Sequence, residues 1–277
     1  MVDLKYVKKK RRKKIAVVTV GTSAALVGAF ATISFLGSRV GSYTTKLSHD
    51  RTSLTLLEYK DQDPLEGTTY QKFDNLPIFT LWSSVDIQNH DQVDSETTDY
   101  LDIATEGVGS DSSTCYFFKH TFYLKNNGVV TCGYKFTIRL SDNVAPAGAK
   151  YDLSDILRVR LYENVDDDAH EYVNYARHKL QNTPVWEEEP YRECVSVNPR
   201  SELWDTLDEK EKFATSFVSD TVVLEKTVDN YKPGDITRYT VVFWLEGEDP
   251  QCDGSMPTNG SIKLGVEING YEQETQD

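Results

Sequence analysis

Catalytic equipment is what this chain of 277 residues has least of. Only five histidines occur, and none forms a recognisable metal set. His170-Glu171 opens like a zinc-protease HExxH, but residue 174 is Asn and His178 lies too far along an extended chain to share a metal with His170. There is no GxSxG, no P-loop and no complete GxGxxG, since Gly107-Val108-Gly109 stops before the third glycine. The four cysteines, Cys115, Cys132, Cys194 and Cys252, include no CxxC pair. Basic residues are also scarce beyond the start of the chain. Eight of the 30 Lys/Arg fall in residues 1–14, leaving 22 against 43 of the 44 Asp/Glu. A body carrying a net charge of −21 repels phosphate backbones, so nucleic acid is excluded as a partner. No catalytic residue, bound metal or cofactor is expected, and the chain is read as a non-enzyme.

What is present begins with a membrane signal. Lys5, Lys8, Lys9, Lys10, Arg11, Arg12, Lys13 and Lys14 precede 22 uncharged residues, Ile15 to Leu36. At about 1.5 Å per residue in a helix, this stretch crosses the ~30 Å hydrocarbon core of a bilayer. The basic cluster predicts residues 1–14 in the cytoplasm and everything after Arg39 outside. Ala29-Phe30-Ala31 has the small-x-small form of a signal-peptide cleavage site, whereas the full spanning length favours an uncleaved anchor. Both fates stay open: a cell-membrane protein with an external C-terminal domain, or a secreted one. The expected organisation is a basic segment 1–14, a transmembrane or signal helix 15–36, a linker 37–50 and an ectodomain 51–277.

Within that ectodomain the pattern is alternation with period two, the mark of strands with one buried face. Residues 115–140 are the clearest case. Phe118, His120, Phe122 and Leu124 share one parity; after Asn126-Asn127-Gly128, so do Cys132, Tyr134, Phe136, Ile138 and Leu140. Asn-Gly between two such runs predicts a β-hairpin with Phe118, Phe122, Tyr134, Phe136 and Ile138 buried. His120 is assigned to its strand's surface. Leu157/Val159/Leu161, Tyr239/Val241/Phe243/Leu245 and Ile262/Leu264/Val266/Ile268 repeat the pattern, with weaker strands over 53–59, 78–85, 170–176 and 221–228. One helix is expected near 201–214, capped by Ser201. These elements predict a mainly β protein, an antiparallel sandwich.

The remaining candidates are weak. Hairpin spacing puts Cys115 and Cys132 beyond disulfide reach, making Cys132 a small buried hydrophobe and leaving Cys194–Cys252 as the candidate bond. Asp166-Asp167-Asp168 offers hard oxygens to calcium but lacks an EF-hand spacing, and an acidic turn between strands is the commoner explanation. Aromatic side chains such as Trp82, Trp186 and Trp204 suggest a carbohydrate platform as the alternative to core packing.

The basic start, the single apolar segment, the acidic β-rich body, the strand segment YFFKHTFYLKNNG and the stretch Trp244-Leu245-Glu246-Gly247-Glu248-Asp249-Pro250 resemble exported surface proteins of Firmicutes and Mollicutes similar to the TasA/camelysin group. The junction Leu36-Gly37-Ser38-Arg39 departs from that group's processing site. The resemblance implies a jelly-roll-like sandwich held at the cell surface or in a biofilm matrix, in some members self-assembling. The expected function is therefore a non-enzymatic surface or matrix protein that associates through sheet edges. The alternative is a carbohydrate- or calcium-binding surface module. Ser53–Tyr59 is the strand expected to be offered to a neighbour.

Overall fold

The computed structural model describes residues 33–34, 41–49, 53–76, 78–79, 101–103, 114–115, 117–144, 152–164, 172–177, 194–197, 202, 204–247 and 261–273. Strands dominate them: β1 (Ile33–Ser34), β2 (Gly41–His49), β3 (Leu54–Leu57), β4 (Tyr70–Leu76), β5 (Ile78–Phe79), β6 (Leu101–Ile103), β7 (Thr114–Cys115), β8 (Phe117–Asn126), β9 (Cys132–Val144), β10 (Leu157–Asn164), β11 (Tyr172–Ala176), β12 (Thr215–Ser216), β13 (Val222–Tyr231), β14 (Ile236–Leu245) and β15 (Ser261–Glu272). Two single-turn helices, α1 (Leu153–Ile156) and α2 (Glu209–Lys212), complete them with two short 3-10 turns. A six-stranded sheet runs β13-β9-β15-β2-β4 with β1 on β15. A seven-stranded sheet runs β12-β11-β10-β14-β8-β3 with β6 also on β8, while β5 and β7 form a separate pair. We call the first two sheets I and II.

The apolar parity of each strand meets the other sheet. Phe136 of sheet I stacks on Tyr239 of sheet II with centroids 4.6 Å apart, and Tyr43 of sheet I lies 4.8 Å from Phe118 of sheet II. One continuous core results, joining Leu56, Phe122, Leu124, Val159, Val241 and Phe243 to Leu47, Ile138, Leu264, Val266 and Ile268. Phe118, Phe122, Tyr134, Phe136 and Ile138 are all buried, and so is Cys132, as their alternation predicts.

The pairing of residues 115–140 differs from the expectation. β8 and β9 are not hydrogen-bonded to each other. β8 joins β14, β3 and β6 in sheet II, whereas β9 joins β13 and β15 in sheet I. The connection is an arch between sheets rather than a hairpin within one. Alternation fixes which face is buried, and two apolar faces are satisfied equally well face to face or side by side. Asn126 decides for the arch. Its side-chain amide donates to the carbonyls of Val130 (3.0 Å) and Tyr231 (2.9 Å), and its side-chain oxygen accepts from the Gly128 amide at 3.0 Å. Its backbone pairs with Asp235 and Gly234 in the β13–β14 connection, which also crosses between sheets. There Pro233 and Gly234 occupy the turn, and Gly234, at φ 85°, takes the left-handed conformation glycine tolerates best.

Two boundaries also shift. Gly41–His49, expected in the linker, is a nine-residue strand inside sheet I, parallel to β15 and antiparallel to β4. Tyr43, Thr45 and Leu47 enter the core from it, so the folded body starts well before residue 51. Ile33 and Ser34, at the end of the apolar stretch, are extended and pair with Ile262 and Ser261, so the helix expected over 15–36 does not run through them. Among the described residues no helix is long and apolar enough to cross a membrane. The single helix expected near 201–214 is replaced by a 3-10 turn at Trp204–Thr206 and α2, separated by Asp208 at the N-cap of α2. Asp205, Thr206 and Asp208 favour turns and caps over a helix interior, which breaks the run.

His120 is a further correction. It lies fully buried between the sheets beside Tyr43 and Phe122, with Nδ1 3.4 Å from the Thr45 hydroxyl. Burial lowers its pKa from 6.5 to about 3. Between those two pH values the unfolded chain binds a proton that the folded chain refuses, so this group's contribution to stability falls as pH falls across that window. His120→Phe should remove that slope. Denaturant titrations of both proteins at pH 7 and pH 4 should show the wild type losing on the order of 3 kcal/mol more than the variant. Equal losses would show that His120 is protonated in the fold.

Candidate functional site

The two sheets have different outer faces. That of sheet I carries surface ion pairs, Lys135–Glu225 at 2.6 Å and Arg139–Glu267 at 3.0 Å, of the kind that contribute little. The outer face of sheet II is covered. Phe117 and Lys119 of β8, Arg158, Arg160 and Tyr162 of β10, Asn174 of β11, and Val242 and Trp244 of β14 are all buried there. Phe117, Tyr162, Val242 and Trp244 form a second apolar cluster outside the main core.

A strap formed by residues 194–197 and 204–214 fastens to this face. Its two ends are paired to each other: Ser196 donates to the Lys212 carbonyl, Ala214 donates to the Cys194 carbonyl, and Val195 bridges Phe213. Arg158 donates from Nε to the Ser196 carbonyl at 2.7 Å. Arg160, only 2% exposed, is the centre. It donates from Nε to Asn174 Oδ1 (2.8 Å), from Nη1 to the Tyr162 hydroxyl (3.2 Å), and from Nη2 to Glu211 Oε2. Glu211, 1% exposed and projecting from α2, also accepts from the Tyr172 hydroxyl and from Asn174 Nδ2. The guanidinium stands 4.2 Å from the Tyr172 ring centroid and 5.5 Å from that of Trp244, within cation–π range. Burial opposes the charge on Arg160, but Tyr162, Glu211 and Tyr172 outweigh it and raise the pKa. Burial, then the bond to Glu211, raises that of the Tyr172 hydroxyl.

The bonds of Arg160, Tyr172 and Asn174 to Glu211 and of Arg158 to Ser196 hold the strap down. The chemistry of this arrangement is that of a latch. Arg177 adds a second fastening at the end of β11. It donates to Asp152, Ser154 and Asp155 around α1 and to Asp220 at 2.6 Å.

The sequence motif Trp244–Pro250 leads into this layer. Trp244 and Glu246 are fully buried, and the indole Nε1 donates to Glu246 Oε2 at 3.1 Å. Leu245 belongs to the main core and Gly247 follows the strand, while Asp249 and Pro250 lie outside the described residues. Asp166, Asp167 and Asp168 also lie outside them, in the connection that joins the paired strands β10 and β11. Cys194 is buried with Sγ 3.5 Å from the Ala176 carbonyl oxygen, and its expected partner Cys252 is outside the described residues. His170, Glu171, His178, Trp82 and Trp186 are outside them as well. Trp204 packs edge-on against Phe213 in the strap. Among the described residues no group of His, Cys, Asp or Glu is arranged to hold a metal ion.

Arg160, Tyr172, Asn174 and Glu211 were not anticipated. Their signal is in β14, where Val241, Val242, Phe243, Trp244 and Leu245 are apolar on both parities, as in a strand covered on both faces.

No family model, curated protein or solved structure matches this chain.

Proposed function

We propose that this protein is a non-enzymatic, exported surface or matrix protein, a jelly-roll-like sandwich that associates with further copies through its sheet edges. The carrying observation is the state of sheet I. Among the described residues, β13 at one end pairs only with β9, and β4 at the other pairs only with β2. Addition of a strand from a further copy at either end would extend the sheet. The basic cluster and the apolar segment that follows it supply the reason for an external location, either tethered by residues 15–32 or released by cleavage after Ala31.

Ser53–Tyr59 is less suited to donation than its sequence suggests. Leu54–Leu57 already pairs with Leu124 and its neighbours in β8, and Leu54, Leu56 and Leu57 are buried. Giving that strand away would unmake the subunit's own core.

The test has two readouts on the whole chain. Protease added to intact cells should digest the acidic body, and the protein recovered from membranes in mild detergent or from medium should sediment as a species larger than one chain. A protease-resistant, cytoplasmic body would overturn the surface reading. A monomer at all concentrations would overturn the assembly reading.

A further inference from the structure

Asn-Gly occurs three times in this chain, at residues 127–128, 259–260 and 269–270. In such a pair no side chain on the second residue screens its backbone nitrogen, which can close on the asparagine side-chain carbonyl. The attack needs a main chain able to bend that nitrogen back onto Cγ. It also needs an amide N–H that is released from its own hydrogen bond and can lose its proton.

Asn259-Gly260 lies outside the described residues. Asn127 and Asn269 are both exposed, so access to water does not separate them. Their backbones do. Asn269 sits inside β15, in register with Lys135 of β9 and Ser48 of β2, and Gly270 is in register with Tyr134 and His49. Bending the chain there would break the middle of sheet I.

Asn127-Gly128 lies in the arch between β8 and β9, next to Val129, which is 93% exposed. The Asn127 N–H donates to the Ser53 carbonyl at 3.0 Å. The Gly128 N–H donates to Asn126 Oδ1 at 3.0 Å, the two-residue turn typical of asparagine. That bond is the brake on the reaction, since the nitrogen cannot attack while it donates. Asn126 itself is spared: it is 1% exposed, and its amide nitrogen is held by the carbonyls of Val130 and Tyr231. Opening one side-chain bond at an exposed turn costs far less than opening a central strand.

We infer that Asn127 is a spontaneous deamidation site, gated by the side chain of Asn126. The Gly128 nitrogen gives its proton to water and bonds to Asn127 Cγ. The Cγ–Nδ2 bond then breaks, and the leaving nitrogen takes up a proton and departs as ammonia. Water opens the cyclic imide at either carbonyl, leaving aspartate or isoaspartate at position 127. Both products add a negative charge, and isoaspartate also inserts a methylene into the main chain of the arch.

The experiment incubates the whole chain, in mild detergent and mildly alkaline heavy-oxygen water, and maps its peptides by mass spectrometry. Each new acid then carries a labelled oxygen, which separates it from any present beforehand. In the folded chain, labelled acid should accumulate at Asn127 at least about tenfold faster than at Asn269. In denaturant the two sites should react at similar rates. Asn126→Ala removes the acceptor of the Gly128 N–H and should quicken the reaction at Asn127, with circular dichroism verifying the fold. If that variant does not fold, hydrogen exchange in the wild type tests the same opening, and the Gly128 amide should exchange faster than the amides of β15.

Equal rates at Asn127 and Asn269 in the folded chain, or reaction at neither, would overturn the site. A preference for Asn127 that persists unchanged in denaturant would assign it to the neighbouring sequence and overturn the structural cause. An unaltered rate in folded Asn126→Ala, or a Gly128 amide as slow to exchange as those of β15, would overturn the gate.

Discussion

Phe118→Ala is expected to destabilise the protein by about 3–5 kcal/mol, the cost of truncating a fully packed core aromatic. Phe118 is completely buried and stacks on Phe243 of the neighbouring strand at 4.6 Å, while across the sandwich it meets Tyr43 at 4.8 Å. It therefore binds β8 to β14 within sheet II and sheet II to β2 of sheet I. The cavity cannot close easily, because β8 is hydrogen-bonded on both edges, to β14 on one side and to β3 and β6 on the other. Equilibrium denaturation should show a lower midpoint with an unchanged slope. A thermal midpoint lower by roughly 6–20 °C corresponds to the same loss in a body of this size. A loss below ~1 kcal/mol would mean that the two sheets do not pack through this aromatic group.

The burial of Phe118 was legible in the sequence, and its surroundings were only half so. Parity correctly divided β8, β9, β10, β14 and β15 into core and non-core residues, because a strand presents alternate side chains to opposite faces whatever it pairs with. Partners were a separate matter. Asn126-Asn127-Gly128 has the composition of a hairpin turn, and what makes it an arch is a set of bonds from Asn126 to Val130 and Tyr231, the latter far along the chain. No local pattern encodes such a bond. β2 was missed for a related reason: Tyr43, Thr45 and Leu47 alternate over a short run just after the uncharged stretch Ile15–Leu36, and their place between β15 and β4 depends on strands remote in sequence. The covered face of sheet II was hidden by the same alternation that revealed its core. Arg158 and Arg160 alternate with Val159 and Leu161, the usual look of a solvated face, and only a strap bringing Glu211 from elsewhere in the chain makes them interior.

That strap supplies the other large expected effect. Glu211→Ala should cost about 3–5 kcal/mol, because it removes one partner of a buried ion pair and leaves the Arg160 charge uncompensated. The loss extends beyond the pair, since the Tyr172 hydroxyl loses its acceptor in the same step and Asn174 Nδ2 keeps only the Lys210 carbonyl. Replacing both members by apolar residues, Arg160→Met with Glu211→Leu, should recover the part due to the uncompensated charge and no more, because Tyr172 and Asn174 still lack their partners. The wild type, the two single variants and the double variant form a double-mutant cycle, and its coupling energy separates the ion pair from the packing of α2. The indole of Trp244 reports the same event optically: it lies 5.5 Å from the guanidinium and is fully buried, so loosening the strap should shift its emission to the red and quicken protease cleavage near residues 204–214. If Glu211→Ala instead keeps wild-type stability and emission, the strap is held by the Arg158 bond to the Ser196 carbonyl, and Arg160 is satisfied by Asn174 and Tyr162 alone.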